Sequence, residues 1–172
     1  MTRIPDAMLA ELHALVCAWV EDQERLILEQ GVALSEPELR IATRAGVLHP
    51  ERVKLLAVTK TPLPEEKTLR RAARAFGFVS EMTDGLTAGY GFFLRESRRN
   101  DRALVAHELV HVAQFERFGG IHAFLAKYLR EILENGYDAA PLELEAVAFQ
   151  QSRAWEQDDA SQRSPGRPSS AA

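Results

Sequence analysis

The sequence predicts an α+β fold: one helix-rich domain, residues 1–156, with a small sheet beside a central helix. Three observations carry this reading. Most of the chain falls into stretches of helical hydrophobic spacing bounded by capping residues and glycines. Two short runs, Val53 to Val58 and Leu86 to Leu94, instead carry β-branched, aromatic and glycine residues. A third stretch, ALVAHELVHVAQFERF from Ala103 to Phe118, is apolar almost all round, as a helix buried in the middle of a domain must be. At 172 residues the chain is long enough to bury one core and too short for two comfortable ones.

The elements follow in order. From Asp6 to Gln30, Leu9, Leu12, Val16, Val20 and Ile27 recur at helical spacing, with Pro5 in front and Gly31 behind. Ser35 to Thr43 is a short helix, since Ser35 can cap it, Pro37 suits a first turn and Gly46 follows. Val53 to Val58 is a strand ending before Pro62-Leu63-Pro64. Pro64 to Phe76 is helical, with Glu65 and Glu66 at its start and Arg70, Arg71 and Arg74 towards its end, matching the helix dipole. Leu86 to Leu94 reads as one strand whose glycines mark bulges or a close backbone approach.

Asn100 or Asp101 caps the central helix, which stops at Gly119-Gly120. Ile121 to Asn135 is a connecting helix ending at Gly136, and Pro141 opens a last helix running to about Trp155. Residues 157–172 hold no large apolar residue and are expected to be a disordered tail.

The net charge of −4 leaves no basic excess to neutralise a phosphate backbone, so nucleic acid is not an expected partner. The uncharged run from Leu12 to Val20 is too short to span a bilayer and lacks a signal-peptide layout, so the expected setting is cytoplasmic, without a membrane partner. The single cysteine, Cys17, has no disulfide partner within the chain and reads as a small apolar filler.

The chemistry concentrates in His107-Glu108-Leu109-Val110-His111. A spacing of four puts both imidazoles on one helix face a turn apart, the bite that a tetrahedral zinc ion requires. Two histidines and a glutamate in an otherwise apolar helix are costly to bury unless something pairs with them. A catalytic zinc takes three protein ligands and keeps one open position. The extended pattern with His at 117 is absent, because Gln114 and Arg117 stand where Gly and His belong. The helix after Pro141 offers Glu143 and Glu145 instead.

On these motifs the second half of the chain resembles a minimal zincin metallopeptidase of the gluzincin type, and the whole chain resembles small bacterial proteins of that kind. The resemblance implies a minimal zincin-like fold, a Zn2+ cofactor and a peptide or protein substrate. In that class the third ligand is a helical Glu followed by a small residue. Glu145-Ala146 fits and Glu143-Leu144 does not, so the implied ligand set is His107, His111 and Glu145, with Glu143 at the rim. The resemblance also implies that the glycine-containing strand Leu86 to Leu94 lies above the active-site helix as a sheet edge and binds an extended peptide.

Glu108, beside a ligand but on the neighbouring face, is then the general base, and Tyr137 is the candidate donor to the oxyanion. A different class of function is also compatible, a metal-binding but non-proteolytic module that takes up a partner peptide along the same strand. Glu108 argues against it, since such a module needs no base. His122 reads as a surface residue, His13 and His49 lack ligand spacing, Gln114 as a cleft or carbonyl-bonded amide, and Arg95, Arg98, Arg99 and Arg102 as a solvated loop.

Overall fold

The computed structural model describes residues 6–77, 79–80 and 82–156. The segment 157–172, expected to be a disordered tail, lies outside the described residues. The fold is helix-rich α+β, with elements α1 (Asp6–Gln30), β1 (Val32–Ala33), α2 (Glu36–Ala45), β2 (Lys54–Val58), α3 (Lys67–Phe76), β3 (Gly85–Ala88), β4 (Gly91–Arg95), α4 (Arg102–Phe118), α5 (Ile121–Asn135) and α6 (Pro141–Ser152). No helix among the described residues is long and apolar enough to cross a membrane.

Local chemistry sets the helix ends. Ser35 precedes α2 and its backbone N–H donates to Glu38 at 2.7 Å, a reciprocal cap that also recruits Arg99 at 2.8 Å. Helix α3 starts three residues later than the proline predicts, because the Glu66 carboxylate accepts from the N–H groups of Thr68 and Leu69 and so becomes the cap itself. Asp101 does the same for α4, accepting from Ala103 and Leu104. At the other end Gly119 takes φ 85°, a left-handed stop that closes α4 and leads directly into α5. Helix α6 ends at Ser152, short of Trp155, which sits in a following 3₁₀ turn with its ring buried.

The sheet order is β1-β2-β4-β3, with β2 and β4 parallel and both outer pairs antiparallel. The run Leu86 to Leu94 is therefore a hairpin and not one strand: β3 is the sheet edge and β4 a central strand, joined through Gly89-Tyr90. Buried β4 alternates as a central strand must. Phe92 and Leu94 pack with Leu55, Ile41, Val105 and Leu109 towards α2 and α4, whereas Phe93 packs with Ile27, Val16 and Phe124 towards α1 and α5. Val105, Leu109 and Val112 thus anchor one face of α4 to the sheet, and His107 and His111 stand on another. Burying a side chain of this size contributes roughly 1.5–3 kcal/mol, so the sheet-facing residues fix the rotation of α4 and with it the aim of its histidines.

Cys17 is 1% exposed within the α1 face of the core, and burial with the Glu21 carboxylate pushes its thiol up to about 11. The basic residues before α4 are committed to structure: Arg99 pairs with Glu38, Arg98 with Asp101, and Arg95 lies 3.7 Å from Asp84.

Candidate metal centre

Helix α6 packs against α4, where Gln114 meets Glu145, His111 meets Glu143 and His107 meets Gln150. The Nε2 atoms of His107 and His111 approach to 3.1 Å, and the Glu143 carboxylate places Oε2 3.5 Å from the first and Oε1 3.4 Å from the second. Their ligand atoms all lie within 4.8 Å of one another.

The third member of the cluster is thus Glu143, and the expectation of Glu145 is corrected. Two residues along a helix are about 200° apart, so only one of the pair can face α4's histidines. Leu142 and Ala146 are the buried residues that set the rotation of α6, and Glu143 is buried with them. Glu145 points to the flank, where both its oxygens lie 2.8 Å from the Arg117 guanidinium. It still serves the site from there. Glu145 Oε2 and the Leu142 carbonyl both accept from the Gln114 amide nitrogen, at 3.1 and 2.9 Å. Those two acceptors fix the orientation of the amide, so Gln114 Oε1 faces His111 Nδ1 at 2.8 Å and holds the proton there. Gln114 is fully buried, which makes this arrangement compulsory. On His107, Gln150 Oε1 occupies the equivalent place at 3.2 Å. With Nδ1 covered on both rings, the Nε2 lone pairs converge on one point.

The electrostatics ask for positive charge at that point. Burial opposes charge on His111, but the hydrogen bond and charge of Glu143 outweigh it and lift the imidazole to about 9. Burial likewise opposes ionisation of Glu143, and its hydrogen bonds to His107 and His111 overcome this, holding the carboxyl far below the usual carboxylate range. Two imidazole nitrogens and one ionised carboxylate, with outer partners in place, are a donor set that fits a divalent metal ion.

Glu108 stays out of this set. Its carboxylate is buried and accepts from the Thr87 hydroxyl of edge strand β3 at 2.6 Å. Gly85 makes room for it, since a Cβ at Gly85 would fall 2.8 Å from the Glu108 carboxyl carbon and nearer still to Oε1. Gly85→Ala is therefore expected to displace Glu108 and to destabilise the fold by about 1–3 kcal/mol; an unchanged denaturation midpoint would contradict this packing.

Tyr137, in the 3₁₀ turn between α5 and α6, lines the same cavity. Burial first, then the charges of Glu143 and Glu108, push its phenol above the ordinary tyrosine value, which keeps it a proton-bearing donor. Sequence reasoning missed Tyr128, whose hydroxyl donates to Glu143 Oε1 and whose ring stacks on Phe124 at 5.4 Å. Its only signal was the Phe124–Tyr128 spacing of four on a helix taken as a connector. Thr87 and Gln150 were missed as well, whereas Gly85 is one of the glycines read as marking a close approach to the backbone.

Two depressions meet over the site. One is walled by Val16, Trp19, Val20, Phe124 and Leu125 from α1 and α5, the other by Ser80, Met82, Thr83 and Leu104, and both include Gly85, His107, Glu108 and Tyr137. His49 lies apart, 3.5 Å from Glu51, whereas His13 and His122 meet across α1 and α5 with ring centroids 5.9 Å apart. No protein-family model, curated protein or solved structure matches this chain, and the reading of the site rests on its own side chains.

Proposed function

We propose that the protein is a zinc-dependent metallopeptidase. The observation that carries the proposal is the convergence of His107, His111 and Glu143 beside a separately held Glu108. Zinc bound by these three side chains would supply Lewis acidity towards a carbonyl and acidify water to a pKa of about 7.

The protein's own groups do the rest. Glu108, aimed by Thr87 and given room by Gly85, accepts the proton of the attacking water and returns it to the leaving amine. The Tyr137 phenol donates to the oxyanion that develops on the carbonyl. Tyr128 and the chain Arg117–Glu145–Gln114 hold Glu143 and His111 in place. An extended peptide is the favoured substrate, because among the described residues β3 is the edge strand of the sheet, lies at the rim of the cavity and carries both Gly85 and Thr87. In the reducing cytoplasm proposed as its setting, Cys17 stays reduced.

The same edge supports a second reading, in which β3 binds a partner peptide without cutting it. One experiment separates the two. Purified protein is incubated with casein or a peptide mixture, with and without a chelator, and the products are weighed by mass spectrometry. Cleavage that the chelator abolishes and zinc restores is the expected result; intact peptides under every zinc condition would contradict proteolysis.

A further inference from the structure

A second group of metal-binding side chains lies outside this centre, on the seam between α1 and α5. His13, Cys17 and Glu21 follow one another at intervals of four along α1 and so share one face of that helix. His122, the second residue of α5, meets them from across the seam. Cys17 Sγ is 3.3 Å from His13 Nε2, and the two imidazoles stand edge to face. Glu21 Oε1 lies 2.8 Å from His122 Nε2. Ligand atoms of His13, Cys17 and His122 all fall within 4.8 Å of one another.

We propose that His13, Cys17 and His122 form a second, structural metal site that takes zinc or a similar borderline-soft divalent ion. The donor chemistry is one sulfur and two imidazoles, a combination that suits zinc and its neighbours and disfavours magnesium or calcium. Glu21 stands outside the three converging donors and holds the His122 ring from the solvent side. Cys17 is buried while His122 and Glu21 are exposed, which gives an ion a way in from the solvent side.

The site's effect is to staple the two helices that wall the peptidase cavity. Without an ion the seam is tied at this point by His13 Nε2 and the His122 carbonyl at 2.9 Å. Val16 and Val20, the neighbours of Cys17 in sequence or one turn on, and Phe124 and Leu125, just after His122, are cavity-wall residues. The inference does not depend on the reaction proposed above, since none of His13, Cys17 and His122 belongs to the first centre.

Cobalt(II) titrated into metal-free full-length protein tests it, because only this site contains sulfur and a thiolate-to-cobalt charge-transfer band in the near ultraviolet reports on it alone. The band is expected to saturate by two equivalents in wild-type protein, where both centres take cobalt, and to survive in Glu143→Gln, which breaks the first centre, saturating there at one equivalent. Cys17→Ser should abolish it, and His122→Ala, at an exposed position that leaves the fold intact, should weaken cobalt binding at the band by about 10-fold or more. Absence of the band from wild-type protein would overturn the proposal. So would a band of unchanged affinity in His122→Ala, which would mean that the thiol captures cobalt without the cluster.

Discussion

Glu108→Gln is expected to remove peptide cleavage while leaving the zinc and the fold in place. The side chain lies outside the ligand set, and its size and its hydrogen bond from Thr87 are preserved by the amide, whose oxygen still accepts. What the amide cannot do is take a proton from water. Positioned acid–base catalysis is worth typically about 10²–10⁴-fold, and one carboxylate here serves as base and then as acid, so the loss should reach the upper end of that range. Zinc content, thermal unfolding and cleavage rate measured on the same preparation check all three parts. Wild-type turnover in this variant would remove Glu108 from the mechanism.

How far the sequence reaches is visible in particular residues. The histidine pair was legible because a spacing of four within one apolar helix has a single geometric meaning, and α4, α5 and the caps at Ser35 and Asp101 follow from local chemistry. The choice between Glu143 and Glu145 was not legible. Both lie on one helix without a marked apolar face, and which of them faces α4 depends on how Leu142 and Ala146 seat α6, a tertiary fact. The small residue after Glu145 pointed the wrong way, and Arg117, 28 residues earlier in the chain, claimed that carboxylate.

The hairpin at Gly89-Tyr90 was hidden because glycines in a strand pattern signal a bulge as readily as a turn. Strand β1, two exposed residues long, has no pattern to read. Tyr128 was masked by its core-like helical spacing. The cluster on α1 repeats the very spacing of four that marked the first site, but its partner His122 lies 109 residues beyond His13 and only the docking of α5 on α1 reveals it.

The proposed hold of His107, His111 and Glu143 on zinc is tested by comparing Glu143→Gln with Glu145→Gln. Glu143 is buried and bridges both Nε2 atoms, so replacing its charge with an amide removes an anionic ligand and leaves two imidazoles. The loss in zinc affinity should exceed the roughly 10–100-fold that removal of an outer partner costs. Glu145→Gln breaks the bidentate pair with Arg117 but keeps an oxygen for the Gln114 amide. It should therefore weaken zinc by no more than about 10-fold. Both substitutions are made in the Cys17→Ser background so that the seam between α1 and α5 contributes no zinc, and affinity is read by competition with a chelator of known strength. One tightly held zinc is expected in the parent and in Glu145→Gln, and its loss in Glu143→Gln. Zinc retained by Glu143→Gln and lost by Glu145→Gln, or no zinc held by the parent at all, would contradict the proposal.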